Sequence, residues 1–181
     1  MHKKLVLLTF FFLSVLSLSS QEAVYEFKSA IIKSTQEVMG QKSEAVWYID
    51  DYGAKVTKIA KSIHVITINN TLINIMGKTA TKTELPKNSR INYLRLTPEV
   101  MKKNKIKEEG REEIAGKMCT KYSVVVGEPG REIDKKVWIW KGIALKTTVP
   151  NIGYSESATE IQENVTVSKE IFLIPEGVTI Q

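Results

Sequence analysis

The chain has 181 residues, 26 of them basic and 20 acidic, with 43% hydrophobic residues and a single cysteine. That length fits one domain able to bury about two-thirds of its unfolded surface without covalent staples. One cysteine excludes an intramolecular disulfide, and the interleaving of lysine with glutamate, without an arginine stripe among aromatics, argues against a nucleic-acid partner.

The first element is a leader. Lys3 and Lys4 make a basic start, residues 5–16 form an apolar run broken only by Thr9 and Ser14, and Ser17, Ser19 and Ser20 supply small side chains. That order is the pattern of a secretory signal peptide. A run of twelve residues is too short to cross a hydrocarbon core of ~30 Å as a helix. Residues 1–20 are therefore expected to be removed, leaving residues 21–181 as one exported domain, periplasmic or extracellular, with no transmembrane segment. Removal takes two basic residues and no acidic one, so 24 basic residues face 20 acidic ones and the net charge falls from +6 to +4. The single cysteine, Cys119, does not stand just after the leader, and the exported chain is expected to be unlipidated.

The texture that follows is short β-branched or aromatic segments between Gly, Asn-Asn and Pro turns. A first strand is predicted from Tyr25 and Phe27 to Val38, with a turn at Gly40, although Ala30, Ile31 and Ile32 leave a helical reading open. In the next strand Ala45, Trp47 and Ile49 share one face, and residues 51–53 turn. Residues 56–60 and 63–68 continue as strands, Asn69-Asn70 makes a hairpin tip, and residues 72–76 return. Both faces of residues 63–68 are apolar, which predicts burial on both sides. Thr97, Pro98 and Glu99 give one helix a cap, a first-turn proline and a favourable charge, ending near Asn104.

Lys102, Lys103, Lys105 and Lys107, followed by Glu108, Glu109, Glu112 and Glu113, read as an exposed charged connection. Strands resume at residues 118–126, 137–140, 144–149, 154–162 and 172–174. The expected fold is mainly β: a strongly curved antiparallel sheet, or half-closed β-barrel, with one or few short helices.

Chemistry-bearing motifs are sparse. His64 is the one histidine beyond the leader and falls inside an apolar strand; Cys119 sits between Met118 and Thr120 as a buried strand residue would. No metal-ligand spacing, exposed-serine turn or phosphate-cradling glycine loop occurs, so no metal or cofactor is expected. Asp50, Asp51, Asp134 and Glu160 would support a carboxylate enzyme only if two of them converged in a cleft. What remains is apolar. In residues 137–146 Trp138 and Trp140 share one strand face, and Gly142 permits a reversal before Leu145. The indoles either pack a core or wall a cavity.

At that string, and at Gly116-Lys117-Met118-Cys119-Thr120-Lys121-Tyr122, the chain resembles a group of uncharacterised exported bacterial proteins. The likeness extends to an Ala-Thr-Glu-Ile strand (residues 158–161) and a Phe-x-Ile-Pro-Glu-Gly close (residues 172–177). That group is similar to the outer-membrane lipoprotein carrier (LolA/LolB-like) superfamily. The resemblance implies a half-closed antiparallel barrel with helices over its mouth and an apolar cavity for acyl chains. This sequence departs by offering one short helix where the carriers have several, and no functional residue transfers from them.

The leading expectation is a non-catalytic periplasmic protein that binds a hydrophobic ligand, an acyl chain or the lipid part of an envelope component. Trp47, Ile49, Trp138, Trp140 and Leu145 are its candidate wall residues, and a lipid or lipidated protein its partner. The alternative is an envelope protein–protein interaction module.

Overall fold

The computed structural model describes residues 22–61, 63–86, 90–127 and 132–181; the expected leader, residues 1–20, lies outside them. In chain order the strands are β1 (Ala30–Val38), β2 (Gln41–Asp50), β3 (Lys55–Ala60), β4 (Ile63–Ile68), β5 (Thr71–Met76) and β6 (Thr79–Glu84). The helix α1 (Pro98–Lys103) follows, then β7 (Ile106–Ile114), β8 (Lys117–Val126), β9 (Ile133–Trp140), β10 (Ile143–Val149), β11 (Tyr154–Glu163) and β12 (Thr179–Ile180). They form one sheet in the order β12-β6-β5-β4-β3-β2-β1-β11-β10-β9-β8-β7. All pairings are antiparallel except that of β12 with β6.

The sheet is open at β12 and β7 but strongly curved. Four strand spacings separate β11 from β7, about 19 Å in a flat sheet, yet their Cα atoms come within 8 Å. Lys117 of β8 likewise reaches Glu163 of β11 at 3.4 Å. Curling places Phe27, Ile32, Ile49, Val56, Cys119, Trp138, Ile143 and Leu145 in one core. A second core, around Val124, Val137 and Ile139, is covered by Tyr93, Leu96 and Met101 on and before α1.

Local chemistry explains the elements the sequence suggested. The Thr97 side chain accepts the Val100 N–H at 3.3 Å and caps α1. Asn69 holds φ +55° at the β4–β5 tip, a conformation asparagine tolerates. Gly142, at φ +86°, turns the β9–β10 hairpin; a Cβ there would lie 2.5 Å from the Val24 carbonyl oxygen. Residues 30–32 are strand, which closes the helical alternative.

Four expectations are corrected. The charged stretch after α1 is the edge strand β7, whose exposed Lys and Glu side chains discourage pairing with another chain. Tyr25 and Phe27 precede β1 in an irregular segment held by Val24 and Tyr25 N–H donation to the Tyr52 carbonyl. Residues 172–174 are no strand, because a 3-10 turn over Lys169–Phe172 inserts Phe172 into the fold. β6 and β12 join the sheet as unpredicted strands; β6 is too polar, and β12 too short, to carry a pattern.

The C-terminal segment straps one face of the β3–β5 region. Thr57 Oγ1 donates to the Ile171 carbonyl at 3.0 Å, and Ile174 and Val178 pack on Ile66, Ile73, Ile75 and Ala80. Lys58, the next residue of β3, faces the opposite side, beside Trp47 of β2. The strap and the opposite interior together account for the two-sided apolar pattern of β4.

Candidate functional site

Opposite the strap, the concave face holds a cavity of about 450 Å³. Ile32 and Ser34 of β1, Trp47 of β2 and Lys58 of β3 form one wall. Leu145, Thr147 and Val149 of β10 and Tyr154, Glu156 and Ala158 of β11 form the other. The space exists for two reasons. Small side chains, Ser34, Ala144 and Ala158, stand where larger ones would fill it. Irregular pairing also opens the sheet at Lys33/Ser34 and at Ala144/Lys146, and such bulges bend strands and re-aim side chains.

A single carboxylate organises the polar part of this wall. Glu156 is 8% exposed and accepts four hydrogen bonds. Ser34 Oγ and Trp47 Nε1 donate to Oε1 at 2.7 and 2.8 Å, and Lys58 Nζ and Tyr154 Oη donate to Oε2 at 2.7 and 2.6 Å. The Lys58 ammonium also lies 4.7 Å from the centre of the Trp47 ring. Burial by itself would raise the Glu156 carboxyl, but the Lys58, Tyr154 and Ser34 bonds and the Lys58 charge outweigh it and hold the group below the ordinary carboxylate range. Burial, then the bond to Glu156 and its charge, push the Tyr154 phenol up. The wall therefore presents a neutral phenol and an internally compensated ion pair.

The cavity brings together two of the five expected wall residues, Trp47 and Leu145. Ile49 lies fully buried in the core beside it. Trp138, also core, donates its indole N–H to Glu112 at 2.6 Å, with Lys146 and Lys121 4.4 and 5.3 Å from its ring centre. Trp140 stacks on Phe27 at 5.8 Å, flanked by Lys141 and Lys117, which both pair with Glu163. The polar hub was missed. Its signal was parity: Glu156 shares a strand face with Tyr154 and Ala158, and a glutamate at a core position requires partners.

The other sequence candidates have separate places. Asp50 ends β2, Asp51 starts the adjoining turn, Asp134 lies on β9, and Glu160 pairs with Lys33 on the face opposite Glu156. Among the described residues no three His, Cys, Asp or Glu side chains gather as a metal site would require, and no helix is long and apolar enough to cross a membrane. Burial pushes the Cys119 thiol up to about 11, which suppresses the thiolate a nucleophile needs.

His64 stands beside the strap, near Pro175 and Val178. Its Nε2 is buried without a hydrogen-bond partner among the described residues, and burial holds the imidazole below its ordinary value. The unfolded chain thus takes up a proton as pH falls through ~6.5, while the folded chain does so only at lower pH. Stability is fully present above that pH and declines below it. Urea midpoints at pH 7.5 and 5.5 should show the loss, and His64→Leu should reduce it.

No family model and no curated protein matches the chain. The likeness is to solved structures. An uncharacterized conserved protein from Thermus thermophilus aligns with a TM-score of 0.57 at 8% identity, over 86% of this chain and 91% of that one. A chain of the Pseudomonas aeruginosa MucA/MucB complex aligns with a TM-score of 0.56 at 12% identity, over 86% of this chain. The present chain spans 58% of that chain's length. A putative outer membrane lipoprotein-sorting protein domain from Vibrio parahaemolyticus is matched with a TM-score of 0.36 at 10% identity, over 83% of this chain and 91% of that one. The fold is thus shared with the Thermus thermophilus protein and with the MucA/MucB chain, at identities too low to carry a residue's role.

Proposed function

We propose that this chain is a non-catalytic exported protein, periplasmic or extracellular once residues 1–20 are removed, that binds a hydrophobic ligand in the concave face of its sheet. The ligand class is an acyl chain or the lipid part of an envelope component. The observation that carries this reading is the cavity of about 450 Å³ walled by Ile32, Trp47, Leu145, Val149 and Ala158; small-molecule sites span roughly 300–1,000 Å³. Its rim supports it too. Ile152 lines the cavity and is 51% exposed, while Met39, 82% exposed, adjoins it through the Met39 N–H bond to the Gly153 carbonyl. An apolar rim suits a guest arriving from a membrane or a lipidated protein.

Each methylene removed from water contributes about 0.8 kcal/mol, so two added carbons should tighten binding about tenfold until the cavity is full. Native mass spectrometry after gentle purification should find lipid retained, and fluorescent fatty acids should bind with that chain-length dependence. An empty protein indifferent to them would remove the reading.

A second reading has its own support: the fold is similar to a chain of MucA/MucB, which is a protein complex. On that reading the sheet docks another envelope protein. A pull-down from envelope extracts separates the two, since a carrier retains lipid and an interaction module retains protein.

A further inference from the structure

The cavity contains two lysines, and they are not equivalent. Lys58 is committed: its ammonium is 2.7 Å from Glu156 and its side chain is 11% exposed. Lys135, on β9, lines the same cavity beside Val149 and Ile152. Its neighbour in sequence, Lys136, pairs with Glu109 at 3.4 Å, yet no carboxylate among the described residues pairs with Lys135. Removal from water is accordingly what holds its ammonium below the ordinary lysine range. Lys135 is half-buried, and with no carboxylate to answer its charge it leaves the apolar wall a positive group that an anion can pair with.

The balance of charge in the cavity points the same way. Glu156 and Lys58 cancel, and the Tyr154 phenol is neutral, so the lining carries one uncompensated positive charge, on Lys135. Resting on the hydrophobic-ligand reading, we infer that the guest is an anionic amphiphile. Its chain lies against Trp47, Ile32 and Leu145, and its acidic head, a carboxylate or a phosphate monoester, accepts a hydrogen bond from Lys135. Lys135 is thus a binding and specificity residue, and it selects acids over alcohols and esters of equal chain length.

Isothermal titration at pH 7.5 with decanol, decanoate and decyl phosphate tests this on the full exported chain. A charge-assisted hydrogen bond should make one or both anions bind about tenfold tighter than decanol. Lys135→Gln should abolish that preference while decanol still binds, which also shows that the variant is folded, and Lys135→Arg should keep the preference. Equal affinity for all three probes, or a preference that survives in Lys135→Gln, would overturn the assignment of Lys135 while leaving the hydrophobic site in place. Failure of all three probes to bind would overturn the hydrophobic site and this inference together.

Discussion

Glu156→Ala should lower the free energy of unfolding by about 3–5 kcal/mol, the usual cost of removing one member of a buried ion pair. The reason lies in what stays behind. Lys58 keeps an ammonium on a side chain only 11% exposed, and the Trp47 indole, the Ser34 hydroxyl and the Tyr154 phenol lose the oxygens they donate to. Glu156→Gln, which keeps an acceptor of the same shape, should cost less. The double replacement Lys58→Met/Glu156→Leu should recover the part of the loss due to the unpaired Lys58 ammonium, but not the part due to the Trp47, Ser34 and Tyr154 donors, which still lack an acceptor. Urea denaturation of the four proteins measures this. Acid adds a sign test: a carboxyl held below its ordinary range stabilises the fold above that range and ceases to do so as pH falls through its lowered value. The Glu156→Gln protein should lack that component of acid sensitivity.

Phe27→Ala is expected to cost about 3–5 kcal/mol, the range for truncating a buried aromatic. Phe27 is 2% exposed, stacks on Trp140 at 5.8 Å and on Tyr25 at 5.4 Å, and belongs to the same core as Ile49 and Leu145. It ties the segment before β1 to the β9–β10 hairpin, where Glu26 N–H donates to the Lys141 carbonyl at 3.2 Å. Because Tyr25 lines the cavity, loosening this segment should also weaken ligand binding. Phe27→Leu keeps most of the apolar volume and should cost under half as much. Thermal melts of the three proteins, with fatty-acid titrations alongside, measure both effects. A loss below about 1 kcal/mol would mean that the segment detaches without consequence.

Both variants bear on what could be read from residues alone. Strand positions from β2 to β5 were legible because alternation, the Asn69-Asn70 tip and the Asp51-Tyr52-Gly53 turn are local signals. The helix was legible for the same reason, through Thr97 and Pro98. β7 was not, because an edge strand wears charge on both faces and looks like a loop. The strap was not, because its order comes from Thr57 and Ile66 far back in the chain. Trp47 and Leu145, singled out by aromatic and aliphatic texture, line the cavity. Trp138 and Trp140 share that texture but spend it on core packing and on lysine–indole stacking. Glu156 and Lys58 are 98 residues apart and meet only through the β1–β11 pairing that brings the chain ends together. No spacing in the sequence announces that meeting.

The most direct measurement is methyl NMR of residues 21–181 with a spin-labelled fatty acid. Ile32, Leu145 and Val149 should broaden as the label enters the concave face, while Ile66, Ile73 and Ile75, behind the sheet under the strap, keep their signals. Unchanged Ile32, Leu145 and Val149 methyls at saturating fatty acid, or broadening confined to the strap side, would contradict the account.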